Sequence, residues 1–369
     1  MSRSLLDRPL VRMPDFGPGQ WLNTPRPLSR EELRGQVVLV DFWDYTCINC
    51  IRTLPYLKAW HERYADLGLT IIGVHAPEFK FAQLGQQVRA GIDAFGLPYP
   101  ILLDNDYQTW QAFANRAWPG KHLADAAGYI RFRRYGEGHY LATEQAIQAL
   151  LRERDPNVAL PEMLPALREE DAAGAVCYRP TPELHAGYQG GGLFGGALGN
   201  PEGYVPNHAM AYVLPGPFDM RSGHFYLAGF WRAEAEAMVF AGQDGGRVVL
   251  PYEAVSVNAV LSPSSDPVEL VLDIRPGPET PLIEVRQDDA PLTREAAGAD
   301  VFFEDDGRAF VSVTRPRMVE LVRNPGFEEH ELELIIHAHG LALYAFSFTS
   351  CVAPGRSTLD PGDDFFMVQ

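Results

Sequence analysis

Short apolar runs and segments of helical spacing alternate along the first part of the chain. The apolar runs have the length of strands, and between them apolar residues recur every three to four positions, as they do on one face of a helix. This alternation predicts an α/β unit. The predicted strands are Val37–Trp43, Leu69–His75 and residues 99–104, and the helical segments contain Leu54, Leu57, Trp60 and Tyr64 or cover residues 81–88, 92–95 and 107–113.

The pattern changes after residue 156, where short alternating runs are separated by Gly and Pro turns. Nine such runs predict an antiparallel sandwich or jelly roll. We therefore expect a first domain at residues 1–156, a charged, Ala-rich linker at 157–178, an all-β module at 179–355 and a tail at 356–369. The predicted strands of the module are residues 225–231, 247–250, 255–260, 268–273, 282–285, 309–313, 318–322, 330–336 and 342–348.

Two cysteines, Cys47 and Cys50, stand between the run Val37–Trp43 and the first helical segment. At the first turn of a helix, free backbone N–H groups and the helix dipole stabilise an anion such as a thiolate, which lowers the thiol pKa from its free value of about 8.5. Cys50 follows one turn later on the same side, so the two sulfurs can form a disulfide. The spacing predicts a thiol-disulfide exchange site with Cys47 as nucleophile and Cys50 as resolving thiol. The redox-active disulfide replaces any separate cofactor.

Other roles for these cysteines are weaker alternatives. A structural zinc site needs four ligands, whereas Cys177 and Cys351 have no CxxC or CxxH neighbour, so we expect no metal site. Two inert buried cysteines are a further alternative, because a free Cys packs as a small hydrophobe. Cys177 and Cys351 lie near opposite ends of the all-β module and could pair if its terminal strands are neighbours.

The residues around the cysteines match more positions than a thiol pair requires. Residues 39–55 read LVDFWDYTCINCIRTLP and resemble the thioredoxin superfamily. The insertion after the second predicted strand, with helices at 81–88 and 92–95, is typical of its TlpA-like branch. The resemblance implies a thioredoxin-like domain with a central mixed sheet flanked by helices, acting as a thiol-disulfide oxidoreductase. It implies that Asp41 is the buried acid that moves protons on and off the resolving thiol, with a pKa raised by its apolar surroundings. A hydrated or capping strand-end Asp is the alternative. Pro55 matches the proline that kinks the family's helix.

A second match lies further along the chain. Trp118 and Pro119 precede residues 120–130, which resemble the family's sequence of proline, strand, turn and strand. The resemblance implies that Pro119 is a cis-proline facing the substrate. We expect Trp43, Tyr45 and Trp118 to form a hydrophobic rim that binds the substrate, with packing in the core as the alternative for Trp118.

Two secondary candidates, His75 and Glu78, follow the second predicted strand. Residues 73–79 resemble the strand-end loop in the soluble part of DipZ-type proteins. Ligands of open α/β sheets gather at the carboxyl ends of strands, so both side chains could flank the thiols. Surface hydrogen-bonding groups are the alternative.

The second half resembles the module that follows the thioredoxin-like domain in DipZ-type proteins and has the build of a carbohydrate-binding module. The matching positions are residues 181–183, 187–188, 227–231 and 340–348. The resemblance makes a glycan a candidate partner, with a substrate-orienting module as the alternative. Glycan binding requires exposed aromatic platforms, although aromatics on alternating strands usually pack in the core. The candidate platforms are Tyr188, Tyr204, Trp231 and Tyr252.

A peroxiredoxin-like peroxidase is a further alternative, because the insertion between the second and third predicted strands also occurs in that class. Thr46 precedes Cys47, but the proline expected of such an enzyme is absent. The paired thiols favour disulfide exchange over peroxide turnover.

Composition limits the partners and the location. Lys and Arg total 31 against 48 Asp and Glu, and the formal charge of −17 argues against nucleic acid or an anionic membrane surface. No apolar run reaches about 18 residues, and residues 1–7 lack the apolar stretch of a secretory signal. The literal expectation is a cytoplasmic protein without a membrane span, and the alternative is an extracytoplasmic protein whose leader was removed. The expected partners are protein thiols or disulfides and an unidentified electron donor or acceptor.

Overall fold

The computed structural model describes residues 5–190, 197–272, 281–355 and 365–367. Their contacts divide the chain into two units, Met1–Leu167 and Arg168–Gln369. The division falls inside the segment that the sequence predicts as a linker. Most of the predicted tail at 356–369 lies outside the described residues.

The first unit contains a mixed sheet of seven described strands with helices around it. Its strands are β1 (Val11–Arg12), β2 (Trp21–Leu22), β3 (Val37–Trp43), β4 (Leu69–His75), β5 (Ile101–Leu103), β6 (Gly120–Ala124) and β7 (Tyr129–Tyr135). The order across the sheet is β1-β7-β6-β3-β4-β5-β2. The helices are α1 (Ile48–Tyr64), α2 (Gly85–Phe95), α3 (Gln108–Ala112) and α4 (Tyr140–Arg154), with short 3-10 helices at Ala65–Leu67 and Lys80–Gln83. The α/β thioredoxin-like architecture predicted for this part of the chain is confirmed.

Strand β3 lies at the centre of this sheet, and all seven of its residues are buried. A strand covered on both faces reads as a continuous apolar run, which is the pattern of this segment. β3 runs parallel to β4 and antiparallel to β6. The carboxyl ends of β3 and β4 therefore meet the beginning of β6 at one edge of the sheet.

The start of the predicted linker packs onto the first unit. The Leu164 amide donates to Glu144 Oε2 at 2.9 Å, and Gln148 Nε2 donates to the Pro161 carbonyl at 2.8 Å. Tyr64 Oη donates to the other Glu144 oxygen at 2.6 Å. These buried polar groups on α1 and α4 thus satisfy each other and fix the chain after α4.

The second unit is an all-β structure, as predicted. Eleven described strands form one sheet, and three form another. The strands are β8 (Val176–Tyr178), β9 (Leu184–His185), β10 (Ala209–Tyr212), β11 (Tyr226–Ala233), β12 (Met238–Phe240), β13 (Gly246–Ser262), β14 (Leu282–Gln287), β15 (Ala290–Pro291), β16 (Phe302–Phe303), β17 (Ala309–Ser312), β18 (Arg317–Ile336), β19 (Ala342–Thr349), β20 (Cys351–Val352) and β21 (Phe365–Met367).

The larger sheet is built around the antiparallel pair of long strands β13 and β18. Its order is β10-β11-β12-β19-β13-β18-β14-β17-β16, with β15 beside β14 and β9 beside β19. The jelly-roll topology stays a prediction.

One predicted strand of the module is wrong. The segment predicted as a strand at 268–273 is the helix α5 (Pro267–Leu272), and its last residue lies outside the described residues. Val268, Val271 and Leu272 are exposed, so this apolar run does not enter the sheet. A short apolar run does not distinguish a strand from a short helix by its periodicity.

Cys177 and Cys351 form a disulfide in this unit. They are direct partners in the antiparallel pair of β8 and β20, with their Cα atoms 3.9 Å apart. Tyr178, Phe327 and Val352 pack together as a small buried cluster in the same region. Strands near the two ends of the unit are therefore neighbours, which is the condition under which the sequence allowed this pair.

Replacing Cys177 and Cys351 together by Ser is expected to lower the free energy of unfolding by about 2–5 kcal/mol, because the unfolded chain loses a long-range restraint. The bridged residues are 174 positions apart. Denaturant unfolding without reductant, followed by hydrogen exchange of the second unit's backbone amides, measures the change.

The matched control is the double replacement of Cys47 and Cys50 by Ser. Their disulfide closes a separation of only three residues, so its loss changes unfolding of the second unit far less. Equal unfolding midpoints for wild type and the Cys177 and Cys351 double variant would contradict the prediction.

Candidate redox site

The Cys47–Cys50 disulfide lies where β3 leads into α1. Cys47 is the N-cap residue of α1, and its sulfur accepts the Cys50 amide at 3.2 Å. The two Cα atoms are 5.2 Å apart. Cys47 is partly exposed, whereas Cys50 is only 1% exposed. The geometry leaves Cys47 as the sulfur that a visiting group can reach and Cys50 as the one behind it.

The start of α1 favours a negative charge on Cys47. Free backbone N–H groups and the positive end of the helix dipole both lie at an N-cap. Within the described helix, the first turn carries no acidic side chain that would oppose this effect. The helix continues into the core through Leu57 and Trp60, both completely buried, which holds its beginning in place.

Asp41 occupies the middle of the site's central strand. It is 1% exposed, and its Oδ1 atom has no hydrogen-bond partner among the described residues. Burial raises the pKa of Asp41 to about 7, although the charge of Lys121 acts in the opposite direction. A carboxyl group with this pKa can accept or release a proton near neutral pH.

Lys121 faces Asp41 from the neighbouring strand. The two residues are direct partners in the antiparallel pairing of β3 and β6, and Lys121 is completely buried. Burial lowers the pKa of Lys121, against the attraction of Asp41 and Glu137. Its Nζ atom donates to the Gly136 carbonyl at 3.1 Å. Lys121 was not predicted as a site residue, and its only signal in the sequence is its place within a predicted strand.

The peptide bond between Trp118 and Pro119 is cis. The Trp118 indole N–H donates to the Ala76 carbonyl at 3.0 Å, and the Pro119 carbonyl accepts the Gly136 amide at 2.8 Å. Pro119 is buried and Trp118 is partly exposed. The cis-proline loop is therefore fixed beside the loop that follows β4, with Trp118 as its accessible side chain.

The predicted hydrophobic rim differs from the structure in two of its three members. Trp43 and Tyr45 are 1% and 3% exposed and lie in the interior, because the strand end and its turn are covered on both sides. Their rings pack around His75, with centroid distances of 5.4 and 5.7 Å. Of the three, Trp118 alone keeps exposed surface.

His75 and Glu78 both lie close to Asp44, three residues before Cys47, and neither is a fully exposed residue. His75 is completely buried, and burial lowers its pKa, so the imidazole is neutral at neutral pH. Its Nε2 atom lies 3.5 Å from Asp44 Oδ2. Glu78 is partly exposed, and its backbone N–H donates to the same Asp44 oxygen at 2.9 Å. Asp44 was not among the predicted site residues.

The aromatic residues suggested as glycan platforms belong mainly to the core of the second unit. Trp231 is completely buried and Tyr252 is 1% exposed. Tyr188 and Tyr204 are partly buried and pack against the same core. Burial therefore removes Trp231 and Tyr252 as stacking platforms, whereas Tyr188 and Tyr204 keep part of their surface exposed.

Comparison with known proteins finds a family match for each part of the chain. Residues 12–133 match the AhpC/TSA family, and residues 181–349 match the family described as thioredoxin like C-terminal domain. Protein DipZ of Mycobacterium bovis is 37% identical over 243 residues, which cover 65% of this chain and 33% of DipZ. The chain thus spans about a third of the length of this relative.

Two further relatives match the first part of the chain. The human NHL repeat-containing protein 2 is 36% identical over 35% of this chain and 18% of its own length. The thiol-disulfide oxidoreductase ResA of Halalkalibacterium halodurans is 30% identical over 28% of this chain and 56% of its own length.

Among the described residues, no helix is long and apolar enough to cross a membrane. The paired cysteines at the start of α1, the fold around them and the two family matches agree with one another. The chain is therefore similar to DipZ over 65% of its length, with a region that matches the AhpC/TSA family followed by one that matches the thioredoxin like C-terminal domain.

Proposed function

We propose that this protein is a thiol-disulfide oxidoreductase that exchanges a disulfide with partner proteins. The observation that carries the proposal is the Cys47–Cys50 disulfide across the first turn of α1, with one sulfur accessible and the other buried. The disulfide itself is the only redox group that the reaction needs. Peroxide turnover is not part of the proposal, because the paired thiols already supply both electrons for reducing a disulfide.

The exchange proceeds in two substitutions at sulfur. The Cys47 thiolate attacks a disulfide of the partner, forms a mixed disulfide and releases one partner thiolate. The Cys50 thiolate then attacks Cys47, which re-forms the Cys47–Cys50 bond and releases the second partner thiolate. Two electrons pass from the dithiol to the partner, and the reverse sequence oxidises a partner dithiol.

Asp41 and the cis-proline loop support these steps in our proposal. Asp41 accepts the proton of the Cys50 thiol before the second substitution and returns it when the disulfide is reduced. Its raised pKa and its position on β3 support this role. The loop of Trp118 and Pro119 receives the partner chain, and the partly exposed Trp118 supplies the apolar contact.

We also propose that the protein works in an oxidising compartment, which is the alternative that the sequence analysis gave for its location. The Cys177–Cys351 disulfide supports this, because structural disulfides persist mainly outside reducing compartments. A glycan partner is not part of the proposal, since Trp231 and Tyr252 are enclosed in the core.

The direction of exchange depends on the reduction potential of the Cys47–Cys50 couple. Titration against glutathione measures it, and a value near that of thioredoxin, about −270 mV, identifies a reductant of protein disulfides. A value near about −120 mV identifies an oxidant of protein thiols.

Replacing Cys47 by Ser is expected to abolish the reduction of insulin, because the attacking sulfur is lost. Replacing Cys50 by Ser is expected to trap mixed disulfides with insulin, which non-reducing electrophoresis detects as a shift in mass. The double Ser variant of Cys177 and Cys351 is the control and keeps the wild-type rate. Full activity of either single variant would refute the proposal.

Replacing Asp41 by Asn is expected to slow resolution of the mixed disulfide about a hundredfold above pH 7, because the general base is lost. With a pKa of about 7, wild-type Asp41 retains its proton at lower pH and cannot accept the Cys50 proton. The wild-type rate therefore falls as pH decreases through about 7, and the variant lacks this inflection. Stopped-flow measurement of the resolution step from pH 5 to 9 tests it, and the same inflection in both proteins would contradict the assignment.

The same substitution is expected to change how stability depends on pH. The pKa of Asp41 is about 7 in the folded protein and about 3.9 in an unfolded chain, so ionisation disfavours the folded state. Wild type therefore loses stability as pH rises from about 4 through 7, whereas Asp41→Asn escapes this loss. Thermal unfolding of the oxidised proteins should show a larger gain for the variant at pH 8 than at pH 4, and an equal difference at both values would exclude the raised pKa.

A further inference from the structure

A second buried acid, Asp44, stands beside the disulfide and has no part in the mechanism above. It follows the last residue of β3 and is completely buried. A buried carboxylate is costly unless its oxygens are bonded, so its partners show which parts of the chain depend on it.

The Asp44 side chain bonds two separate segments. Its Oδ1 atom accepts the Thr46 amide at 2.7 Å and the Thr46 hydroxyl at 2.6 Å, and its Oδ2 atom accepts the Glu78 amide at 2.9 Å. Its backbone carbonyl accepts the Cys47 amide at 3.3 Å. Asp44 therefore fixes the turn that carries Cys47 and joins this turn to the loop after β4.

The loop after β4 is in turn bonded to the cis-proline loop. Ala76 donates its amide to the Trp43 carbonyl at 3.1 Å and accepts the Trp118 indole N–H at 3.0 Å. The next residue, Pro77, accepts a hydrogen bond from the Tyr107 hydroxyl. Through these bonds Asp44 connects the three segments that surround the disulfide.

The charge of Asp44 is not balanced by its nearest basic group. His75 Nε2 lies 3.5 Å from Oδ2, but burial lowers the pKa of His75 and keeps the ring neutral at neutral pH. The hydrogen bonds to Asp44 come from amides and a hydroxyl, which carry no net charge. Of the other charged groups near the site, Lys121 faces Asp41, and Arg52 pairs with Glu137 at 2.8 Å.

A buried negative charge close to Cys47 opposes formation of the thiolate. Oδ1 lies 2.7 Å from the amide nitrogen of Thr46, the residue before Cys47. Like charges disfavour each other most strongly where water is excluded. The helix start stabilises the Cys47 thiolate and Asp44 destabilises it, so the two effects together set how stable the reduced form is.

We propose that Asp44 is a positioning residue for the exchange reaction: it holds the Cys47 turn against the loop after β4, and its charge keeps the Cys47–Cys50 couple more reducing than the helix start alone would make it. This inference rests on the proposed function, because it concerns the same pair of thiols.

The test is the equilibrium of each variant with glutathione, in which the dithiol and oxidised glutathione give the disulfide and two molecules of reduced glutathione. Asp44→Asn removes the charge and replaces one carboxylate oxygen by an NH2 group, which cannot accept a hydrogen bond. The Asn side chain can therefore accept from only one of the two segments that Asp44 joins. We expect the equilibrium to shift about tenfold toward the reduced protein, which corresponds to about 30 mV for two electrons. The pH dependence of Cys47 alkylation by iodoacetamide should show a lower thiol pKa in the same variant.

Asp125→Asn is the matched control. Asp125 follows the other end of β6, and its Oδ1 atom accepts the amides of Ala127 and Tyr129 at 3.1 and 2.9 Å. Loss of this acid should lower the thermal stability of the fold without moving the glutathione equilibrium. Asp44→Ser also removes the charge and is measured in parallel, so that the result does not depend on the folding of one variant.

The outcomes separate this inference from the proposed function. If wild type neither reduces insulin nor equilibrates with glutathione, the proposed function fails. If wild type is active, and folded Asp44→Asn or Asp44→Ser has the wild-type equilibrium and the wild-type thiol pKa, the role of Asp44 is refuted. An equal shift in Asp125→Asn would also refute it, because loosening of the fold alone would then explain the change.

Discussion

The site depends on the pairing of β3 with a neighbour on each side. β3 is parallel to β4 and antiparallel to β6, and all its residues are buried. This arrangement brings the turn before Cys47, the loop after β4 and the cis-proline before β6 to one edge of the sheet. The same burial gives the site its chemistry, because Asp41 and Asp44 are held where water cannot screen their charges.

Each buried charge at this edge has a different environment. Asp41 faces a buried lysine on the next strand, and its Oδ1 atom lacks a hydrogen bond among the described residues. With a pKa of about 7, such a carboxyl group is partly protonated at neutral pH, which suits a group that transfers protons. Both oxygens of Asp44 accept hydrogen bonds from the backbone or a hydroxyl, which suits a group that holds chain segments together. The environments of these two aspartates, three positions apart, therefore fit the two different roles proposed for them.

Local pattern was enough to predict the strands β3 and β4 and the position of the thiols. The apolar runs ended at the same residues as the strands, and the cysteines followed directly. Pro119 required the family resemblance, because most X–Pro bonds in folded proteins are trans. The pairing of Cys177 with Cys351 depended on which strands are neighbours, and strand order between distant segments has no local signal.

The errors and omissions at the site have a common physical origin. Trp43 and Tyr45 were placed at a surface rim, although a central strand and its turn enclose even large aromatics. Lys121 and Asp44 were overlooked because their partners come from other elements: Lys121 meets Asp41 across the sheet, and Asp44 binds the Glu78 amide after β4. The strand predicted at 268–273 was wrong for a different reason, because a short apolar run fits a helix as well as a strand.

The two disulfides show how position decides what a pair of cysteines does. Cys47 and Cys50 are three positions apart, so their bond restricts the unfolded chain little, and the partly exposed Cys47 at a helix start is open to attack. Cys177 and Cys351 are 174 positions apart, and Cys177 is 2% exposed within a paired strand. The strands β8 and β20 pair directly at the second bond, whereas the first bond lies at a helix start outside the sheet. These positions favour Cys47 for the exchange proposed above and a structural role for the Cys177–Cys351 bond.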